Sequence, residues 1–96
     1  MKKQTEEIKL AVGQAVFIRT VTFYYTGRII ALGADFITLN QAAWIADTGR
    51  FHLAMRDGFD SQAEIEPYPP TLPVHVARGA IVDIAEWRHP LPDRAN

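Results

Sequence analysis

A mainly β domain is what this sequence predicts, and three observations carry the expectation. Residues 14–22 are dense in β-branched side chains: Val16, Ile18, Thr20, Val21 and Thr22. A second apolar run, 24–32, is interrupted once, by Gly27. After the turn signal Leu32-Gly33-Ala34-Asp35, the chain returns as Phe36-Ile37-Thr38-Leu39. Three such runs, separated by turn residues, read as an antiparallel meander.

The elements follow in order. Residues 6–12 combine helix formers with apolar positions at Ile8, Ala11 and Val12. Thr5 stands where an N-cap belongs and Gly13 where a helix stops, so one short N-terminal helix is expected. In the first strand Val16 and Ile18 share one face while Phe17 and Arg19 share the other. Gly27 reads either as a weak point in an ordinary hairpin strand or as a corner. The corner is preferred, because so short a sheet must curl to enclose a core.

Ala42-Ala43-Trp44-Ile45-Ala46 either finishes the third strand or begins a loop. Asp47-Thr48-Gly49 is a turn and N-cap signal, residues 50–56 make about two helical turns, and Asp57-Gly58 is the stop. Residues 59–71 hold Pro67, Pro69 and Pro70 and read as loop, so that 43–72 is treated as an insertion. Residues 74–76 and 80–87 are two short strands parted by Arg78-Gly79. The tail, 88–96, cannot continue a central strand, since Pro90 and Pro92 each lack a backbone donor.

Composition bounds the function. Ninety-six residues make a single domain, 1–96, whose modest core is of a size that oligomerisation commonly supports. No apolar run approaches the ~20 residues of a membrane helix. No apolar leader-type segment follows the charged residues 1–7, and there is no cysteine, so a soluble protein of a reducing interior is expected. The formal charge of −1 argues against a broad phosphate-tracking surface and leaves room for a small pocket with a shallow salt dependence. The acidic stretch Asp57, Asp60, Glu64, Glu66 reads first as a solvated loop.

Catalysis is not expected. His52, His75 and His89 lack ligand spacing, and no metal or other cofactor is implied. Thr20, Thr22, Thr48 and Ser61 sit in no nucleophile-activating pattern. Asp47-Thr48-Gly49-Arg50 is a helix entry, not a phosphate cradle.

The order of helix, meander with a glycine bend, insertion and two short strands resembles the plan of the Sm-like (LSm/Hfq) family. Two places carry the likeness. Gly27, Asp35 and Phe36-Ile37-Thr38-Leu39 resemble the family's first signature, and Arg78-Gly79-Ala80-Ile81-Val82-Asp83-Ile84 resembles its second. Residues 24–28 and 42–50 are similar to those of the Sm-like proteins of marine metagenomes ascribed to cyanophages. The chain departs from the pattern in places. Leu39 stands where the family often has an RNA-contacting Asn, Gly79 replaces the Hfq histidine, and the insertion is longer than usual.

The resemblance implies a small, strongly bent five-stranded antiparallel Sm-like barrel with an N-terminal helix, assembled as a homo-oligomeric ring. The closer likeness implies five subunits, Hfq six and other Sm proteins seven. It implies a single-stranded RNA pocket built from Asp35, Phe36, Arg78 and Gly79. Phe36 would stack on a base, Arg78 would sandwich it or meet phosphate, Asp35 would orient Arg78 or accept from the base, and Gly79 would admit close backbone approach. The same residues also fit a plain reading in which Phe36 is core, Arg78-Gly79 a turn and Asp35 its cap.

Edge strands near 74–76 and 81–87 would pair with neighbouring subunits, making Val74, Val76, Ile81 and Trp87 interface residues. Tyr24 and Tyr25, beside Arg28 and Arg19, form either a second aromatic-basic surface or subunit packing; interface is preferred. Two functions remain in view. One is an RNA-binding ring in the cytoplasm of a phage-infected bacterial cell. The other is a structural or assembly ring that binds proteins and no RNA.

Overall fold

A computed structural model describes residues 9–96. The meander forms as the sequence predicts, from β1 (Ala15–Thr20), β2 (Tyr24–Leu32) and β3 (Phe36–Asp47). Thr20 closes the first hairpin. Its N–H and its hydroxyl both donate to the Phe23 carbonyl, at 2.9 and 2.6 Å. The second turn is closed by Gly33 N–H donating to the Phe36 carbonyl at 2.9 Å.

Residues 42–46 finish the third strand and do not begin a loop. The long β3 therefore meets two partners. Its first half pairs with β5 (Val74–Ala77), and its second half pairs with β4 (Glu64–Pro67). Between the halves the strand changes direction at Gln41, whose φ of 49° lies in the left-handed region. β6 (Ile81–Glu86) follows a single 3-10 turn, Arg78–Ala80, and pairs with β1. The sheet order is β4-β3-β2-β1-β6, with β5 on the free flank of β3.

The described residues hold six strands, which corrects the expected five. β4 was hidden among prolines, but only Pro67 belongs to it, at its last position. Ile65 is buried between the exposed Glu64 and Glu66, so a minimal period-two pattern was present.

The expected N-terminal helix falls partly on residues 6–8, outside the described residues. Residues 9–12 are not helical. Gly13 N–H donates to the Ile29 carbonyl at 2.7 Å and Ile29 N–H donates to Gln14 at 2.9 Å, so the chain there already runs beside β2. The helix expected within 50–56 is present as α1 (Phe51–Asp57) and ends at Gly58, whose φ is 91°. Asp47 makes a turn rather than a cap, accepting from Gly49 N–H at 2.8 Å.

Two apolar layers hold the sheet. Val16, Ile18, Ile29, Ile37, Leu39 and Val76 form the larger one. Ala43, Ile45, Ala63 and Ile65 form the smaller one on the opposite face. The alternation in β1 holds for Val16 and Ile18, and Arg19 is exposed and paired with Asp83 of β6. Phe17, on the same face as Arg19, is buried against Phe51 of α1 and Trp87 of the tail.

The tail then returns to β4. Asn96 and Ile65 exchange both backbone hydrogen bonds at 2.9 and 3.0 Å, and the Asn96 amide donates to the carbonyls of Asp60 and Ala63. The outer edge of β4 is thus covered at Ile65, whereas β5 and β6 each pair with a strand on one side only among the described residues.

Gly27 lies where the β2–β3 register shifts, between Thr26 and Arg28. A Cβ there would sit 3.0 Å from the Leu39 Cβ and 3.3 Å from the Ala42 Cα. Gly27→Ala is expected to lower stability by about 1–3 kcal/mol, because the Ala42 backbone and the Leu39 Cβ, which moves only with its own backbone, must shift. Chemical denaturation checks this, and an unchanged midpoint would mean that the corner has slack.

Candidate functional site

The pairing Phe36↔Ala77, Ile37↔Val76, Thr38↔His75, Leu39↔Val74 determines which side chains share a face. Ile37, Leu39 and Val76 enter the larger core, so Phe36, Thr38, His75 and Ala77 lie on the other side. Phe36 is 48% exposed, which removes the reading of it as core. Its ring meets that of His75 edge-on, with centroids 6.1 Å apart. The Thr38 hydroxyl lies 2.8 Å from His75 Nδ1.

At the end of β5 the chain turns against the β2–β3 turn. Arg78 N–H donates to the Asp35 carbonyl at 2.9 Å, and Arg78 Nε donates to the Gly33 carbonyl at 2.7 Å. Asp35, Phe36, Arg78 and Gly79 are therefore brought to one rim of the sheet, although 43 positions separate Asp35 from Arg78 in sequence. The guanidinium is aimed by a main-chain carbonyl rather than by the Asp35 carboxylate, and among the described residues Arg78 makes no ion pair. Gly79 faces open space, since a Cβ there would meet nothing within 4 Å. Leu39, at the family's Asn position, is fully buried and Asn40 half-buried.

The expected interface residues divide. Val76 and Trp87 are buried inside the chain, at 5% and 4% exposure, so their side chains offer nothing to a neighbour. Val76 completes the larger core, and Trp87 stacks on Phe17 and Phe59. Val74, Ile81 and Tyr25 are half-buried against the larger core, and Tyr24 stacks on Phe17 at 5.4 Å.

Arg28 is engaged within the chain, donating to Gln41 Oε1 and to the Gly13 carbonyl at 3.0 and 2.9 Å. Trp44 packs on Phe23 at 4.7 Å. Burial pushes the Tyr68 phenol above its ordinary pKa, with Tyr25 adding to the shift. A hydrogen bond from Arg56 holds the Asp57 carboxyl below its ordinary value. Among the described residues no group of three or more acidic, His or Cys side chains is placed to hold a metal, and no helix is long and apolar enough to cross a membrane.

The molecule is small and mainly β, with a six-stranded antiparallel sheet and one α-helix among the described residues. Comparison with protein-family models, with curated proteins and with solved structures finds no match.

Proposed function

We propose that the protein is a ring-forming, Sm-like module that binds single-stranded RNA at the rim made by the β2–β3 and β5–β6 turns. The observation that carries this reading is that Phe36 and Arg78 stand on the same rim. A half-exposed aromatic ring shares the rim with a guanidinium held by a backbone carbonyl and, among the described residues, in no ion pair. A ring face and a cation side by side suit a nucleobase and its phosphate.

Ring assembly is supported by the pairing of β5 and β6 on one side only, among the described residues, at opposite flanks of the meander. Each exposes one row of donors and acceptors, and a second copy can satisfy the β5 row of one subunit with the β6 row of the next. Such assembly uses backbone edges, with Val74 and Ile81 beside them. A protein-binding ring is the second reading. Its support is the exposure of Val21 (76%), Val82 (56%) and Phe23 (39%), of which Val21 and Val82 line one shallow pocket beside the β1–β2 hairpin.

Native mass spectrometry together with fluorescence anisotropy on labelled oligouridine at two salt concentrations tests the proposal. The expected result is a closed oligomer that binds RNA with a shallow salt slope. A monomer at micromolar concentration would remove the ring, and absent binding at low salt would remove the RNA reading and favour the protein-binding ring.

A further inference from the structure

The corner of β3 is strained, and its side chain holds Arg28. Among the described residues Gln41 is the one non-glycine with a positive φ. A backbone in that region costs free energy and persists only where its neighbours enforce it. Gln41 N–H donates to the Pro70 carbonyl at 2.8 Å, and Gln41 Oε1 accepts from Arg28 Nε at 3.0 Å. A guanidinium nitrogen only donates, so the amide oxygen must face Arg28. The amide nitrogen is then left without a protein partner among the described residues. Arg28 Nη1 donates to the Gly13 carbonyl at 2.9 Å. Nη2 has no partner and the residue makes no ion pair, again among the described residues. An arginine fixed at two nitrogens, with donors to spare, is preorganised for an anion.

Arg28 and Gln41 line one cavity of about 350 Å³. Small-molecule sites span roughly 300–1,000 Å³. Pro67, Tyr68 and Pro70 line it from the end of β4 onward, and Leu91 and Pro92 line it from the tail. Burial, with Tyr25 adding to it, raises the Tyr68 phenol above its ordinary pKa, so it brings no negative charge. Asp93 is the one carboxylate of the lining.

We propose that this cavity binds a small, flat organic carboxylate. The Arg28 guanidinium and the Gln41 amide nitrogen hold the carboxylate, and the proline and Tyr68 surfaces cover the apolar body. One guanidinium matches one negative charge, whereas a phosphate dianion would leave a charge unpaired beside Asp93. None of the lining residues belongs to the rim of Phe36 and Arg78, so the site stands whether or not RNA binds there.

NMR titration of the backbone amides with benzoate supplies the test, with benzamide and benzamidine as neutral and cationic controls of the same shape. Wild type is expected to bind benzoate roughly 10-fold tighter than either control, the scale of one charge-assisted hydrogen bond, with shifts centred on Gln41 and Tyr68. Arg28→Gln is expected to bring benzoate to the level of benzamide. Gln41→Gly takes the same φ without strain and releases Arg28, so it is expected to lower the benzoate-to-benzamide ratio by roughly 3-fold or more. Equal binding of benzoate and benzamide by wild type, shifts confined to other residues, or an undiminished ratio in Arg28→Gln overturns the proposal. Preference for benzamidine overturns it in favour of a cation held by Asp93. Should Arg28→Gln not fold, Gln41→Gly decides alone, and an undiminished ratio there overturns the proposal.

Discussion

Phe17→Ala is expected to lower the folding free energy by about 3–5 kcal/mol, the largest effect of any single truncation in this chain. Phe17 is 1% exposed and sits at the junction of four pieces of structure. Its own strand β1 brings it beneath α1, where Phe51 meets it edge-on at 6.0 Å. Tyr24 of β2 stacks on it at 5.4 Å and Trp87 of the tail at 5.9 Å. Removal of the ring withdraws apolar contact from all of these at once. It leaves a void that Phe51, half exposed at its other side, only partly refills.

A domain of this size has about 5–15 kcal/mol to lose, so the variant should unfold at markedly lower denaturant while a surface control such as Val21→Ala stays near wild type. Equilibrium denaturation followed by tryptophan fluorescence is the measurement, since Trp87 lies in the same layer. A loss below about 1 kcal/mol would show that the aromatic layer is not packed around Phe17.

Phe17 also marks where sequence reasoning stops. The period-two pattern of β1 pairs it with Arg19 on one face, and that pairing is right as geometry. What covers the face is decided elsewhere, by α1 and by Trp87, both more than 30 positions away. A local pattern cannot announce a distant lid. The meander and the helix stop at Gly58 were legible because hairpin turns and helix ends are closed by neighbouring residues, as Thr20 with Phe23 and Gly58 with Ala54 demonstrate.

β4 was not legible. Four residues with one buried side chain become a strand only because the second half of β3 and Asn96 flank them. At the candidate rim, the closeness of Asp35 and Arg78 was expected from resemblance and is present, but it is a carbonyl and not the Asp35 carboxylate that bonds Arg78. The turn directs the carbonyls of Gly33 and Asp35 toward Arg78, and turn carbonyls leave no trace in residue type. His75 escaped for a third reason. Its place beside Thr38 and Phe36 follows from the register between β3 and β5, and a one-residue slip would have sent it to the core.

Phe36→Ala is expected to weaken RNA binding far more than it weakens the fold. The ring is 48% exposed and belongs to neither apolar layer, so its loss should cost well under the price of a core truncation, about 1 kcal/mol or less. Stacking of one base on an aromatic side chain is worth about 1–3 kcal/mol, which corresponds to roughly 5- to 150-fold in affinity for a single site.

Arg78→Ala separates the neighbouring contribution. A guanidinium that meets phosphate should, when removed, lower affinity across all sequences and reduce the salt slope by about one, whereas Phe36→Ala should leave the slope alone. The two variants thus report different physics from the same rim: one changes affinity at constant salt dependence, the other changes both. Anisotropy titrations of each variant at several salt concentrations make the distinction. Equal affinity in Phe36→Ala and wild type would remove Phe36 as the stacking residue and leave His75, the other ring on the exposed face of β3 and β5 among the described residues, as the residue to replace next.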